Sequence, residues 1–462
     1  MISSPGDRPV AAGPSTLNSK RLARCAMILT LGIFSMASIA SAQSTKDFEL
    51  TPINYHARQA TDRIARLQDS LDRGKRKLTW SARHGFLPDV LGALNIPISS
   101  QVLVYSKTSV QVRHISPRRP RAVYFNDDTY VAWVQGGDLL EIISMDPQLG
   151  GIFYTLSQRP VKAPRFRRDR GQCLLCHANR RTNDVPGPVV RSLFTSPSGQ
   201  PHFGARTFVT DHTSPFSQRW GGYYVTGTHG AMRHMGNSVI PLDVPTSDFN
   251  YDTGANLTSI DGLVDADDYL SPHSDIVALM VLEHQSRMHN LITRAHFEAD
   301  TVDHYDELYN KALDRPRGYR SGISKRRIAR VVNDLLRYLL FVDEFTLREP
   351  VRGTSSFATN FARRRTHAGA QSRLRQFDLR KRLFQVPCSY LVHSPSMAAI
   401  PESLRVELVV RLKSILDAKK PVEGFTRLSD ADRKTIRSIL DTTRPAWWTP
   451  PRETSSQAKP PR

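Results

Sequence analysis

Cysteine is scarce in this chain, with four in 462 residues. Cys173 and Cys176 form a CxxC pair, and no second CxxC is present to complete a four-ligand zinc site with them. Glu283, His284 and His289 contain no HExxH pattern, and His289 points away from His284 on a helix, so a second metal is not expected there. No apolar run reaches the ~20 residues that a membrane helix needs. No internal repeat is found, and no nucleic-acid-binding motif accompanies the basic surplus of 64 Lys and Arg over 43 Asp and Glu. That surplus, a formal charge of +21, suits attraction to acidic protein partners, anionic lipid or cell-envelope polymers rather than nucleic acid.

The N-terminus has the three parts of a secretory signal peptide. Lys20, Arg21 and Arg24 precede an apolar run over residues 26–39, and Ala40-Ser41-Ala42 offers a cleavage site after Ala42. An uncleaved anchor is the alternative. Cys25 precedes the apolar run with no small residue directly ahead of it, which disfavours a lipoprotein. Residues 1–42 are therefore expected to be a signal peptide. The mature chain is then periplasmic or secreted, without a transmembrane segment after cleavage.

What is present most distinctively is Cys173-Leu174-Leu175-Cys176-His177. Two thiols at this spacing can each form a thioether with one haem, and the adjacent imidazole can bind its iron axially. This is the c-type haem attachment pattern. Bacterial thioether attachment takes place outside the cytoplasm, so the export signal and the motif agree. One covalently attached haem c is expected, with His177 as proximal ligand and its other ring nitrogen held by a backbone carbonyl or a carboxylate. The competing readings are a redox-active dithiol, a structural disulfide and half of a zinc site. Cys388 reads as a buried small hydrophobe.

The hydrophobic pattern predicts an α+β chain: an N-terminal helix and an antiparallel β meander, a loop-rich haem c segment, and a mainly α-helical C-terminal half. An amphipathic helix is expected over residues 46–77 and a short apolar run over 90–98. Four to six strands follow, among them Val102-Leu103-Val104-Tyr105, Tyr130-Val131-Ala132-Trp133-Val134 and a last one over 152–156. A basic linker, 162–170, leads to Cys173. Its bland reading is a solvated loop, and its sharper one is that one or two of Arg165, Arg167, Arg168 and Arg170 pair with haem propionates. Asp184-Val185-Pro186-Gly187-Pro188 ends any haem-bearing helix early, unlike small class I cytochromes c. Helices are expected over 276–297, 305–313, 325–345, 401–418 and 429–441. The expected division is a helix plus antiparallel β domain at 43–160, haem attachment and distal loop at 161–245, a helical region at 246–350, a basic linker at 351–375, a C-terminal helical region at 376–448, and a disordered tail at 449–462.

The sixth iron position is sought between His229 and Met235. Met235 is the first choice, a thioether in a Gly-flanked turn that would favour reduced iron, with His229 next and Met232 and His234 as further alternatives. A five-coordinate iron beside which these residues merely pack is the competing expectation. Met280, His284 and Met288 share one face of a helix and read as core.

Several strings taken together resemble a family of exported bacterial proteins described as cytochrome c domain-containing. They are Phe125-Asn126-Asp127-Asp128 with Tyr130-Val131, the CxxCH, Trp220-Gly221-Gly222 through His229-Gly230 with His234-Met235-Gly236-Asn237, and Leu383-Phe384 to Pro387-Cys388-Ser389-Tyr390-Leu391. The resemblance implies one covalent haem on an uncharacterised fold, and brings no reaction with it. The leading expectation is one-electron transfer to or from a redox partner protein or a small-molecule donor or acceptor. The rival is a peroxidase- or oxidoreductase-like haem enzyme with an open distal site, for which the lack of a second CxxCH disfavours a di-haem arrangement. A non-enzymatic haem sensor is the third reading.

Overall fold

The computed structural model describes residues 47–364 and 373–448. The expected signal peptide and the tail at 449–462 lie outside the described residues. The first helix, α1 (Arg63–Asp72), is much shorter than the expected 46–77 because Asp62 starts it locally. Its Oδ1 accepts the backbone N–H of Ile64 at 2.8 Å, the role of an N-cap. α1 buries Ile64 and Leu67. The apolar run that follows is helix α2 (Leu87–Leu94), closed by Asn95 in the left-handed conformation at φ 55°.

Six antiparallel strands then follow in simple sequence order: β1 (Val102–Val104), β2 (Arg121–Phe125), β3 (Thr129–Trp133), β4 (Leu139–Asp146), β5 (Gly150–Ser157) and β6 (Phe166–Arg168). The expected meander is thus present at its upper count. The sixth strand corrects the basic linker. Leu156 pairs with Phe166, whose ring is buried while Arg167 faces out, so alternation and one buried aromatic recruit the basic stretch to the sheet edge. Alternation also divides the sheet between two cores. Leu103, Tyr124, Val131 and Leu140 join Leu67 and Leu91 in an N-terminal cluster, whereas Val104, Phe125 and Tyr130 join the C-terminal helices.

After the sheet come the single-turn helix α3 (Leu174–His177), the hairpin β7 (Arg191–Leu193) with β8 (Thr207–Val209), and β9 (Gly227–Thr228). Helix α4 (Ile276–Ala312) is one element of 37 residues where two helices are expected. No Pro or Gly lies between Phe297 and Tyr305, and Ala299 and Val302 are buried, so nothing interrupts it. Asp275 caps it, accepting from Val277 N at 2.8 Å. Helix α5 (Gly322–Leu339) packs against α4. Strand β10 (Arg352–Gly353) pairs with β9, followed by α6 (Phe357–Arg363), α7 (Pro395–Ala398), α8 (Glu402–Leu416) and α9 (Asp430–Thr443), the last opened by a Ser429–Asp432 capping box.

Two described residues of the stretch 351–375 are held by ion pairs. Arg364 and Arg375 both close on Asp127, and the Arg375 guanidinium lies 4.7 Å from the Phe361 ring and 4.4 Å from Tyr390.

Helix α4 is the hub. Met280 and Met288 are core, as expected of that stripe. Its buried polar side chains bind several segments of the chain: Glu283 pairs with Arg219 at 3.1 Å, and His284 Nε2 meets Ser389 Oγ at 2.8 Å. Gln285 donates to Asn126 O and accepts from Tyr390 Oη, His289 binds Asp127 O, and Asn290 donates to Pro188 O. Each bond satisfies a group that would be costly to bury alone.

Candidate haem-attachment site

Asp169 prepares the turn that carries the cysteines. Its Oδ2 accepts from the backbone N–H groups of Gly171 and Cys173, both at 2.9 Å. The turn then closes through His177 N to Cys173 O at 3.0 Å. Leu174 is buried and Leu175 is 68% exposed, which fixes the roll of α3 on the protein. That roll leaves Cys173 half-buried and Cys176 exposed, both as free thiols. Residues three apart on a helical turn share a side, so both sulfurs face one region.

Burial, with the carboxylates of Asp169 and Glu141, pushes the Cys173 thiol up to about 12. A redox-active dithiol requires the opposite, a thiol stabilised as thiolate, and the preceding sheet is wholly antiparallel rather than βαβ. The zinc reading fares no better. Cys388 lies fully buried in the C-terminal core, while Leu174 and Cys173 pack in the N-terminal one. Among the described residues, no group of three or more His, Cys, Asp or Glu gathers as a metal site.

His177 is held by Gly187. The Nδ1 atom lies 3.0 Å from Gly187 O, and because a carbonyl can only accept, Nδ1 carries the proton. Gly187 N donates back to His177 O at 2.9 Å. Among the described residues, Nε2 has no protein hydrogen-bond partner. The Phe153 ring stands 5.1 Å from the imidazole. Burial lowers the His177 pKa, so the ring is neutral and its Nε2 lone pair is available as a ligand.

The Pro186-Gly187-Pro188 stretch, expected only to break a helix, is a clip. Pro186 O accepts from Gly151 N on β5 at 2.9 Å, and Pro188 O accepts from Asn290 on α4 at 2.8 Å. Only glycine fits between them, since a Cβ at position 187 would fall 1.9 Å from Asn290 Oδ1.

Of the four distal candidates, the two histidines pack with each other. The His229 and His234 rings are 4.7 Å apart, and Trp220 lies 5.2 Å from His234. Met235 sits with its sulfur 3.5 Å from Ser192 Oγ, and Met232 is buried in the C-terminal core. His229 Nε2 accepts from Asn256 N and His234 Nδ1 from Gly236 N, leaving His229 Nδ1 and His234 Nε2 buried without hydrogen-bond partners among the described residues. Burial lowers both imidazoles, His234 to about 3. None of the described hydrogen bonds or ring contacts of His177 reaches these residues.

The basic stretch is in part committed elsewhere. Arg165 pairs with Asp72, and Arg168 donates to the carbonyls of Tyr55 and Arg58. Gly187, Asn290, Asp169 and Phe153 escaped sequence reasoning. Only Asp169, four residues before Cys173, left a local signal, that of a loop-capping side chain. No helix among the described residues is long and apolar enough to cross a membrane. No family model matches this chain, and neither a curated protein nor a solved structure matches it.

Proposed function

We propose that the chain is an exported mono-haem c-type cytochrome, belonging with the cytochrome c domain-containing proteins it resembles, and that it transfers single electrons in the cell envelope. The observation that carries the reading is the pairing of a CxxCH turn with a fixed imidazole: His177 gives Nδ1 to Gly187 O at 3.0 Å and keeps Nε2 unengaged. The residues fit the group. Cys173 and Cys176 would hold the haem by thioether bonds and His177 would hold its iron, and the bound haem would supply a one-electron couple. The chain's own part is to orient the ring. The carbonyl partner fixes the tautomer and raises the basicity of the ligating nitrogen, and the Pro-Gly-Pro clip braces that carbonyl on β5 and α4. The strong positive charge favours an acidic redox partner.

A second reading, a haem enzyme or sensor with an open distal position, is favoured by one observation. Met235 is tucked against Ser192, and His229 and His234 each already accept a backbone N–H. The experiment is production with a haem-maturation system. Colour should persist through denaturation and solvent extraction and vanish in Cys173→Ala with Cys176→Ala. Colour extracted from the wild type would overturn covalent attachment. A low-spin six-coordinate spectrum with a sulfur-to-iron band lost in Met235→Ala supports electron transfer. A high-spin spectrum that shifts with cyanide or carbon monoxide transfers the assignment to the enzyme or sensor.

A further inference from the structure

Helix α4 outruns the core. Its 37 residues span about 55 Å, and beyond Val302 its only buried residue is Asn310. The end of α4 and the start of α5 form a hairpin tip that is nonetheless tied together. Asn310 Nδ2 donates to Tyr319 O and Arg315 N donates to Asn310 O, both at 2.8 Å, while Ser324 Oγ donates to Asp306 Oδ1 at 2.6 Å. On this braced tip the apolar side chains point outward. Of the nineteen large hydrophobic side chains exposed among the described residues, six lie within 305–323: Tyr305, Leu308, Tyr309, Leu313, Tyr319 and Ile323. The first four lie along one face of α4, with the Tyr305 and Tyr309 rings 6.3 Å apart. Apolar residues scattered singly are ordinary on a surface, whereas a cluster marks an interaction face.

The same tip is cationic. Residues 303–330 hold eight Lys and Arg against four Asp and Glu. Two of those carboxylates are spent inside the hairpin, Asp303 on Arg320 and on Ser403 Oγ of α8, and Asp306 on Ser324. Arg326 and Arg330, one turn apart on α5, are exposed and make no ion pair or hydrogen bond among the described residues. With Ile323, Arg294, Arg327 and Glu298 they line a groove of about 410 Å³ between the two helices. Glu298 is already shared by Arg294 and Arg327, so the other two guanidinium groups are left uncommitted.

We propose that the tip of the α4–α5 hairpin docks the protein on an anionic lipid surface, its Tyr, Leu and Ile side chains entering the headgroup boundary while Arg326 and Arg330 meet lipid phosphates. Tyrosines and aliphatic residues flanked by cations suit that interface, where the apolar face is buried and the cations are attracted to anionic lipid. A second copy of the chain is a poorer occupant, because a two-fold contact would set the cationic tip against itself. An acidic protein surface would use the arginines and leave the apolar face in water. The inference is independent of the haem reading.

The test sediments protein exported with haem maturation against vesicles of equal parts phosphatidylglycerol and phosphatidylethanolamine, and against vesicles of phosphatidylcholine alone. The tip variants are Arg326→Gln with Arg330→Gln, and Leu308→Ser with Ile323→Ser. Remote controls remove matching side chains, Arg76→Gln with Lys77→Gln and Phe203→Ser with Leu242→Ser, and all of these positions are exposed. The wild type should bind the anionic vesicles in preference to phosphatidylcholine. Each tip pair should lower that partitioning about tenfold or more, and each control pair by less than about twofold. No binding to the anionic vesicles, or equal effects of tip and control pairs, would overturn the proposal. A dimer in sedimentation equilibrium that is lost in Leu308→Ser with Ile323→Ser, without vesicle binding, would give the face to a second copy. Binding to polyglutamate and to vesicles that falls with the arginine pair and ignores the apolar pair would give it to an acidic protein.

Discussion

His177 and Gly187 are joined twice, imidazole Nδ1 to carbonyl at 3.0 Å and backbone N–H to carbonyl in the other direction at 2.9 Å. The nine residues between them are thereby closed into a unit. Gly187 is packed against Asn290 of α4, so the orientation of the candidate ligand depends on the long helix.

Gly187→Ala should disturb that unit more than an exposed glycine substitution would. The added Cβ falls 1.9 Å from Asn290 Oδ1, and overpacking of this kind costs about 1–3 kcal/mol. Denaturant unfolding should show the loss. Adding Asn290→Ala should recover part of it, giving a non-additive double-mutant cycle; simple additivity would mean that the two residues do not press on each other.

Thiol chemistry should rank the cysteines in protein made without haem maturation. Cys176 is exposed, Cys173 is half-buried with its thiol pushed up to about 12, and Cys388 is fully buried. Timed alkylation at neutral pH followed by peptide mapping should label Cys176 first and Cys173 far more slowly, with Cys388 labelled only on unfolding. Equal rates at Cys173 and Cys176 would contradict the environment described for Cys173.

Glu344 is a buried carboxyl raised to about 7 by burial, although Leu383 N donates to it at 2.7 Å. A folded-state value above the unfolded one of 4.5 means that the native state holds the extra proton between those two pH values. Its contribution to stability is therefore complete below about pH 4.5 and lost as pH rises through about 7. Glu344→Gln keeps the acceptor and removes the titration. Its stability should gain on the wild type over that window by on the order of 2–3 kcal/mol. Parallel curves in urea from pH 4.5 to 8 would refute this.

Ser389→Ala should cost about 1–3 kcal/mol. The hydroxyl meets His284 Nε2 at 2.8 Å and also accepts from Leu391 N, so its removal strands a fully buried imidazole nitrogen. Loss of thermal stability without change in the far-ultraviolet dichroism is the expected result, and an unchanged midpoint would argue against the bond.

Local chemistry was legible from the sequence. Two cysteines and a histidine in five residues, a basic chain, alternating strands and capped helices such as Asp430–Thr443 are short-range signals. Propensity, periodicity and spacing act over one or two turns, which is why the first five strands of the meander and the C-terminal helices could be read. The errors arose where a single local residue or a distant partner decided. Asp62 shortened the first helix, and buried Phe166 converted a basic loop into an edge strand; the hold of Asp127 on Arg364 and Arg375 likewise joins residues far apart in the chain. The carbonyl that holds His177, the Asn290 contact that requires glycine at 187, and the packing of His229, His234 and Met235 around Trp220 and Ser192 belong to the tertiary structure. Each depends on which side chains long-range packing brings within hydrogen-bond or van der Waals reach, and buried polar groups take their partners from whatever segment the fold delivers. The candidate CxxCH motif is therefore legible locally, whereas the orientation of His177 was decided by helix α4 and the clip it braces.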